Sequence, residues 1–151
     1  LTTIRTRTPT QHRGLTFTVE SGIMFIALPS GRRLAYVQPS IGENQWGNPS
    51  INYWGVGANK KWQVLETYGG KLVENIVQAI ARDLLTHALR TLDQAGRRFV
   101  MHVHDEAVID EPWGSGATVE SVCKLMATPP AWARGLPLDA DGYECSFYMK
   151  D

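Results

Sequence analysis

The spacing of the apolar residues changes once along the chain, and this change constrains the fold more than any other feature. From Gly70 to Gln94 the apolar residues recur every three or four positions, as on one face of an α-helix. Gly69 precedes this segment directly, and Gly96 follows it as the expected C′ residue. The pattern therefore predicts a long amphipathic helix over residues 70–94. Its apolar residues are Leu72, Val73, Ile76, Val77, Ile80, Leu84, Leu85, Ala88, Leu89 and Leu92.

Short segments rich in β-branched and aromatic residues precede this helix, and Gly, Pro, Asn and Ser residues separate them. They predict a β-rich N-terminal part. The predicted strands are LTFTV (15–19), IMFIAL (23–28), RRLAYVQP (32–39), INYWGV (51–56) and KKWQVLET (60–67). The segment IGENQWGNPS (41–50) is expected to be a loop. Residues Arg5, Arg7, His12 and Arg13 precede the first acidic residue, Glu20, and are expected to form a solvated basic arm.

After the helix, the pattern predicts two strands around a polar turn, then a short helix and a last strand. The strands are 97–103 and 107–111, the helix is 117–127, and the last strand is YECSFYM (143–149). We expect an α+β fold in which these three strands form a small antiparallel sheet, backed by the helices 70–94 and 117–127. The predicted domains are a β-rich segment, 1–68, and a C-terminal subdomain, 69–151.

Composition narrows the class of protein. With 151 residues, of which 43% are hydrophobic, the chain suits one ordinary core. The 15 basic and 15 acidic residues balance, so net charge argues neither for nor against a polyanionic partner. Cys123 and Cys145 suit a reducing compartment. No apolar run reaches the length of a membrane span, and no signal peptide is visible. Because the sequence opens with LTTIRTRTPT, we expect a fragment or a processed chain.

Three ionisable residues, His104, Asp105 and Glu106, fill the turn between the strands of RRFVMHVHDEAVID. Two adjacent carboxylates repel each other, and Asn-Gly would form the turn better. A divalent cation is the simplest physical reason for this arrangement. Two other interpretations remain open: a plain polar turn, and a zinc site formed by His102 and His104. The histidine-rich hydrolase pattern His-x-His-x-Asp-His does not match, because Asp105 follows His104 directly.

The segment VMHVHDEAVID resembles motif C of the family A DNA polymerases, the group of bacterial DNA polymerase I and many phage replicative enzymes. In that family a His-Asp-Glu triplet lies at the turn of a palm-domain hairpin. YGGKLVENIVQAIARDLL is similar to the helix that precedes motif C. GRRLAYVQP and GLPLDADGYECSFYMKD resemble the C-terminal region of phage members. The resemblance covers about residues 25–151 and is most specific over 68–111.

The resemblance implies a role for each residue of the turn. Asp105 matches the motif C ligand of the catalytic Mg²⁺ ions, and Glu106 matches the neighbouring acid beside the metals or the primer end. Both are therefore candidate catalytic and metal-binding residues. His104 matches a histidine on the primer side, where we expect a contact to the primer terminus. In a two-metal site the cations lie about 3.5–4 Å apart, and carboxylates from separate elements hold them.

The resemblance also implies that the polar face of the long helix contacts DNA. Gln78 matches a glutamine that reaches the minor groove, whose acceptors are similar for every base pair. Lys71, Asn75 and Arg82 share this polar stripe and are further candidate DNA-binding residues. The family often has Asn four residues before the glutamine, but this chain has Glu74 there. A carboxylate is unfavourable beside phosphates, so Glu74 puts that contact in doubt.

Two of the three motifs that form a family A site are absent from the sequence. Motif A, with the partner aspartate, and motif B, with its spaced Arg, Lys and Tyr-Gly, have no match; Tyr68-Gly69 lacks the upstream Lys. We therefore expect the C-terminal part of a phage or prophage DNA polymerase of the bacterial cytoplasm, inactive alone. Its partners would be primer–template DNA, deoxynucleoside triphosphates and the rest of the polymerase, with no membrane. A non-catalytic DNA- or protein-binding module is the main alternative, and a metal-dependent hydrolase is the third.

Overall fold

The computed structural model describes residues 1–149, which form an α+β protein as predicted. The chain divides into two compact units, Leu1–Ile80 and a second one that begins at Ala81. The predicted boundary between residues 68 and 69 stays a prediction. Across the described residues, no helix combines the length and the hydropathy that crossing a bilayer requires.

The first unit contains a six-stranded antiparallel meander in which each strand pairs with the next along the chain. The strands are β1 (Thr10–His12), β2 (Leu15–Glu20), β3 (Ile23–Ala27), β4 (Arg33–Glu43), β5 (Pro49–Val56) and β6 (Trp62–Thr67). All five predicted N-terminal strands are present, because their β-branched and aromatic residues alternate between the two faces of a sheet. The register of β4 against β5 shifts between Val37 and Ser40, where a bulge bends β4.

One face of this sheet packs against helical residues and forms the core of the first unit. Helix α1 (Thr2–Thr6) adds Ile4, and the start of helix α2 (Gly69–Gln94) adds Ile76 and Ala79. The sheet contributes Met24, Ile26, Leu28, Tyr36 and Ile51, all of them buried. Arg32 donates from Nη2 to the carbonyl oxygen of Ala79 at 2.6 Å, which adds a polar contact between the loop before β4 and the helix.

Helix α2 has the predicted extent and the predicted C-terminus. Gly96 has a φ of +73°, its N–H donates to Asp93 O, and the N–H of Arg97 donates to Leu92 O. These two bonds form a Schellman motif, which satisfies carbonyl groups at the helix end. In the second unit, Leu85, Ala88 and Leu92 of this helix are buried, as the three- and four-residue spacing requires.

The second unit also contains the predicted hairpin and the predicted short helix. Strands β7 (Phe99–Val103) and β8 (Glu106–Ile109) pair antiparallel as a two-stranded sheet. Helix α3 (Val119–Met126) begins with a capping box, in which the Thr118 side chain accepts from Ser121 N and the Ser121 hydroxyl accepts from Thr118 N. A short 3-10 helix, Ala131–Ala133, follows.

The predicted loop 41–50 is wrong in its extent, whereas the four basic residues of the predicted arm, Arg5, Arg7, His12 and Arg13, are all exposed as predicted. Strand β4 continues to Glu43 and β5 begins at Pro49, because Ile41 and Ile51 pair across the strands. Only residues 44–48 form the turn, in which Asn44 Oδ1 accepts from Trp46 N and Asn48 N. The arm is partly ordered as α1 and β1, because Ile4 is buried in the core and the Thr3 hydroxyl hydrogen-bonds with the Thr10 hydroxyl.

The predicted last strand, 143–149, is also wrong, so the hairpin lacks the predicted third strand. Residues 143–149 form no strand and bend at Ser146 and Phe147. The hydroxyl of Tyr143 donates to the carbonyl oxygen of Met149 at 2.5 Å, so the segment folds back on itself. Its alternating apolar residues suit a strand, but without a neighbouring strand the backbone has no ladder to join.

Candidate functional site

The His104–Asp105 turn is the tip of the β7–β8 hairpin, as the sequence predicts. Val103 pairs with Glu106 and His102 pairs with Ala107, so the turn has two central residues, His104 and Asp105. His104, Asp105 and Glu106 are all exposed. Short paired strands therefore present the carboxylates of Asp105 and Glu106 to solvent at neighbouring positions.

His104 has an unusual backbone conformation for a residue with a side chain. Its φ is +52°, in the left-handed region. Two-residue hairpin turns of types I′ and II′ have a positive φ at this first central position, which usually makes it Gly, Asn or Asp. A side chain there costs about 1–2 kcal/mol relative to the right-handed conformation. The turn thus retains a histidine at a position where glycine would fold more easily.

A bulge in β7 interrupts the alternation of its side chains. Phe99 pairs with Ile109, but Met101 pairs with Val108, so Val100 is the extra residue. Strict alternation would place Phe99, Met101 and Val103 on one face, but the bulge leaves only Met101 and Val103 on a common face. Met101 and Val103 alternate with His102, which projects from the opposite face of the hairpin.

The base of the hairpin is fixed to the end of α2 through Glu111. Its Oε1 accepts from the backbone N–H of Arg98 at 3.2 Å, and its Oε2 lies 3.8 Å from Arg97 Nη1. Asp110 N also donates to Arg98 O at 2.9 Å. Because Arg97 belongs to the Schellman motif, these contacts join the hairpin directly to the helix terminus. They limit the freedom of the turn that they support.

Arg82, a predicted DNA-binding residue, contacts the side chain of His102. Its Nη1 and Nη2 lie 3.5 Å from His102 Nδ1 and Nε2 respectively. The two ring nitrogens of an imidazole point in diverging directions, so one guanidinium cannot meet both in the ring plane. The paired distances therefore describe a guanidinium that lies against the ring face, an arrangement arginine commonly adopts. Both side chains are exposed, so part of the guanidinium stays accessible.

The exposed carboxylates suit the donor set of a partial Mg²⁺ site. Mg²⁺ is commonly bound by one or two carboxylates together with water and phosphate oxygens. Within the described residues, Asp105 and Glu106 make neither an ion pair nor a hydrogen bond through their carboxylates. The described part of the chain contains no group of three or more His, Cys, Asp or Glu side chains that could hold a metal ion. The two carboxylates would therefore leave one side of a bound cation open.

The zinc interpretation gains no support from this geometry. His102 lies against the guanidinium of Arg82, and a cation beside an imidazole opposes binding of a second cation there. A structural zinc site has four ligands, and the described residues offer no such cluster.

The predicted DNA-binding residues of the first unit differ in their surroundings. Lys71 and Gln78 are exposed on α2, and so is Glu74. Asn75 is half-buried, and its Nδ2 donates to the hydroxyl of Tyr36 at 3.1 Å. Lys71 and Gln78 are free to contact a ligand, whereas Asn75 already has a partner within the fold. Their contact with DNA stays a prediction.

Tyr36 is a residue of this region that the sequence does not single out. It is 5% exposed, and its ring meets the ring of Tyr53 edge to face, with centroids 5.0 Å apart. Burial raises the pKa of the Tyr36 hydroxyl, while the hydrogen bond from Asn75 lowers the pKa and Tyr53 raises it. The Asn75–Tyr36 and Arg82–His102 contacts join residues far apart in sequence, and no local pattern predicts them.

Comparison with known proteins gives one strong similarity. The chain is 54% identical over 142 residues to a protein named DNA polymerase from Bacillus phage SP02. The matched part is 93% of this chain but 22% of the relative, so the chain spans about a fifth of the length of the curated relative that it matches. No protein-family model matches the chain, and no solved structure does so either.

Proposed function

We propose that this chain is the part of a phage-type family A DNA polymerase that contains motif C and the helix before it. The observation behind the proposal is the pair of exposed carboxylates, Asp105 and Glu106, at the tip of an antiparallel hairpin. It occurs in a chain that is 54% identical to a segment of a phage protein named DNA polymerase. In the complete enzyme, which would work in the cytoplasm of the bacterial host, this hairpin would form one wall of the site of nucleotide addition.

In this proposal Asp105 and Glu106 hold Mg²⁺ together with a carboxylate from another part of the polymerase. The metal ions would neutralise the charge that develops on the transferring phosphoryl group. The role of the protein is to position the metal ligands. The base of the hairpin is fixed through Glu111 to the end of α2, and this holds the Asp105 carboxylate in place. Such fixed positioning accounts for much of the catalysis of phosphoryl transfer.

His104 would contact the primer terminus beside these carboxylates. The strained φ of +52° supports a functional reason for a histidine at this position, since glycine would form the turn without strain. A neutral or protonated imidazole donates hydrogen bonds, and either form suits a primer hydroxyl or phosphate.

The polar face of α2 would contact primer–template DNA. Gln78 has an exposed amide that donates to minor-groove acceptors, and Lys71 has an exposed ammonium group for a phosphate. Arg82 would reach a phosphate with the guanidinium edge that His102 leaves accessible. Asn75 would act mainly by holding α2 to the sheet, and any contact to DNA would use the second N–H or the oxygen of its amide.

A chimera tests this proposal. The matching segment of the Bacillus phage SP02 DNA polymerase is replaced with this chain, and primer extension is measured with Mg²⁺ and all four nucleotides. We expect extension that Asp105→Asn lowers by several powers of ten, because the cation loses a charged ligand. Asp93→Asn, at an exposed position near the end of α2, is the matched control and should retain activity. A chimera whose activity is the same with Asp105→Asn as without it would contradict the proposed role.

Duplex binding by the chain itself gives a second, independent measurement. Lys71→Ala should weaken binding of a primer–template duplex and lower the slope of log affinity against log salt by about 0.9, because one phosphate contact is lost. Gln78→Ala should weaken binding by a similar factor at every salt concentration. If the duplex binds and neither variant changes its affinity, the α2 surface has no DNA role, and the chain fits the alternative of a protein-binding module.

A further inference from the structure

The face of the β5–β6 hairpin that points away from the core is apolar and exposed. Trp54 pairs with Val64, and Val56 pairs with Trp62, so all four side chains share one face of the sheet. Their exposed fractions are 37% for Trp54, 52% for Val64, 62% for Val56 and 58% for Trp62. We call these four residues the Trp54–Trp62 face. A contiguous exposed apolar patch of this kind commonly marks a binding surface.

Two lysines lie at the turn end of this face. Lys60 and Lys61 lie in the turn between β5 and β6, directly before Trp62, and both are exposed. No acidic residue occurs between Glu43 and Glu66. Glu66 projects from the same face of β6 as Trp62 and Val64, but it lies four residues from Trp62, at the end of the hairpin away from the turn. An anionic ligand at the turn end would therefore meet the two lysines before it meets a carboxylate of this hairpin.

The turn that holds the lysines is ordered by its own hydrogen bonds. Gly57 N donates to Lys61 O at 3.0 Å, and Lys60 N donates to Gly57 O at 2.9 Å. Asn59 Oδ1 accepts from Lys61 N at 3.0 Å, and Asn59 Nδ2 donates to Gln63 Oε1 at 3.1 Å. Because the backbone is already fixed, a ligand that binds here orders few residues, which lowers the entropic cost of binding.

We propose that the Trp54–Trp62 face binds single-stranded nucleic acid, with bases on the indoles and phosphates on Lys60 and Lys61. Proteins that bind single strands combine aromatic side chains, on which bases stack, with cations that follow the backbone. Trp54 and Trp62 are diagonal neighbours, about 7–8 Å apart in an antiparallel pair. Neighbouring unstacked bases of one strand can reach both rings. A duplex hides the faces of its bases, so it offers the indoles no stacking partner.

A protein partner fits this surface less well. Lysine is depleted in protein–protein interfaces, whereas here Lys60 and Lys61 lie at the turn end of the apolar face, and neither makes an ion pair within the described residues. The proposal uses no residue of the His104–Asp105 turn or of α2, so it does not depend on the proposed polymerase site. If both are correct, this face would hold an unpaired stretch of the template strand.

Fluorescence anisotropy of a labelled oligo(dT) of about 20 nucleotides, which exceeds one such binding site, tests the proposal. Trp62→Ala should lower the affinity about tenfold or more, and Trp62→Phe should retain most of it, because a phenyl ring still stacks. Trp46→Ala is the matched control, since Trp46 is 74% exposed in the turn at the other end of β5. It should leave the affinity unchanged. Circular dichroism checks that each variant is folded.

The double variant Lys60→Ala/Lys61→Ala tests the phosphate contacts without altering the apolar face. It should lower the slope of log affinity against log salt by about 1.4, since each contact to a single strand contributes about 0.7. The proposal would be overturned if neither Trp62→Ala nor Trp46→Ala changed the affinity for oligo(dT), or if the chain did not bind oligo(dT). Self-association that Trp62→Ala abolishes, without an effect on oligo(dT), would identify a protein interface and also overturn it. If Lys71→Ala lost duplex binding but still bound oligo(dT), the result would concern the surface of α2 and not the Trp54–Trp62 face.

Discussion

Asn75 on α2 donates from Nδ2 to the hydroxyl of Tyr36 on β4, and the two atoms are 3.1 Å apart. Tyr36 is buried in the core of the first unit, so this bond satisfies a hydroxyl that has little access to water. A neighbour on the same helix, Gln78, is exposed. The polar residues of α2 thus divide into one that supports the fold and others that remain available for a ligand.

Replacing Asn75 with Ala should lower the free energy of unfolding by about 1–2 kcal/mol, because the buried Tyr36 hydroxyl loses its donor. Gln78→Ala, at an exposed position of the same helix, should change it by less than about 0.5 kcal/mol. Urea unfolding measures both. A double-mutant cycle with Tyr36→Phe isolates the pair, and Asn75→Ala should cost less in the Tyr36→Phe background. Equal costs in both backgrounds would show that the bond adds nothing to stability.

Alkaline pH should destabilise the first unit through Tyr36. Burial raises the pKa of this hydroxyl above its ordinary value of about 10. Above that pH the unfolded chain loses the Tyr36 proton while the folded chain keeps it, so stability falls as pH rises through the folded pKa. In Tyr36→Phe this part of the pH dependence should disappear, and in Tyr68→Phe, at an exposed position, it should remain. The measurement is the free energy of unfolding between about pH 9 and pH 12. Parallel profiles for the wild type and Tyr36→Phe would contradict the assignment.

Thr67 offers a chance to stabilise the protein. Its hydroxyl is buried and has no hydrogen-bond partner among the described residues, and the residue is 1% exposed on β6. Thr67→Val keeps the shape and removes the unsatisfied group, so it should raise the free energy of unfolding by about 1 kcal/mol. Thr10→Val is the matched control, because the Thr10 hydroxyl is bonded to Thr3 and its removal should destabilise. Thermal unfolding compares the two. Destabilisation by Thr67→Val would indicate that a bound water satisfies the hydroxyl.

His104→Gly should stabilise the β7–β8 hairpin by about 1 kcal/mol, because glycine adopts the φ of +52° without strain. His102→Gly, in the middle of β7, should have the opposite effect, since glycine weakens a strand interior. Amide hydrogen exchange of β7 and β8 reports the local stability. In the SP02 chimera described above, His104→Gly should lower primer extension despite the greater stability. Unchanged extension would show that the histidine has no contact with the primer.

Local patterns predict most of the fold because each element has a periodicity of its own. The long helix follows from the spacing of Ile76, Ile80 and Leu92, and its end follows from Gly96. The β7–β8 hairpin follows from β-rich residues on both sides of a polar turn. Asp105 therefore lies at an exposed tip, as the sequence indicates.

The sequence-based predictions fail where long-range contacts determine the structure. Helix α1 has the sequence TTIRT, which contains few strong helix formers, and the burial of Ile4 against the sheet stabilises it. Residues 143–149 have the alternation of a strand, yet a strand also needs an edge to pair with. The contacts of Asn75 with Tyr36 and of Arg82 with His102 depend on the meeting of distant segments. Sequence periodicity does not encode such pairs.

The last prediction is that this chain alone does not synthesise DNA. Asp105 and Glu106 would hold a Mg²⁺ ion from one side only, and the described residues contain no cluster of three or more acidic, His or Cys side chains that could enclose it. Such an ion would keep most of its water and exchange freely. The sequence has no match to motif B, so the nucleotide triphosphate would lack the positioning on which phosphoryl transfer depends. Losing several such contributions should lower the rate by many powers of ten, because each ~1.4 kcal/mol is a factor of ten.

Primer extension with the purified chain, Mg²⁺ and all four nucleotides measures this directly, and Asp105→Ala is the control for contaminating polymerase. Product should be absent, or equal in the wild type and in Asp105→Ala. Extension that requires Asp105 would instead mean that this chain provides the second carboxylate itself. The candidates would then be Asp83, Asp110 and Asp139. Asp83 lies on α2 in the same unit as the hairpin, Asp110 directly follows β8, and the Oδ1 of Asp139 accepts from Ala140 N. Changing each of the three singly to Asn would then identify the residue that provides the second carboxylate. In that case the chain would be a minimal polymerase.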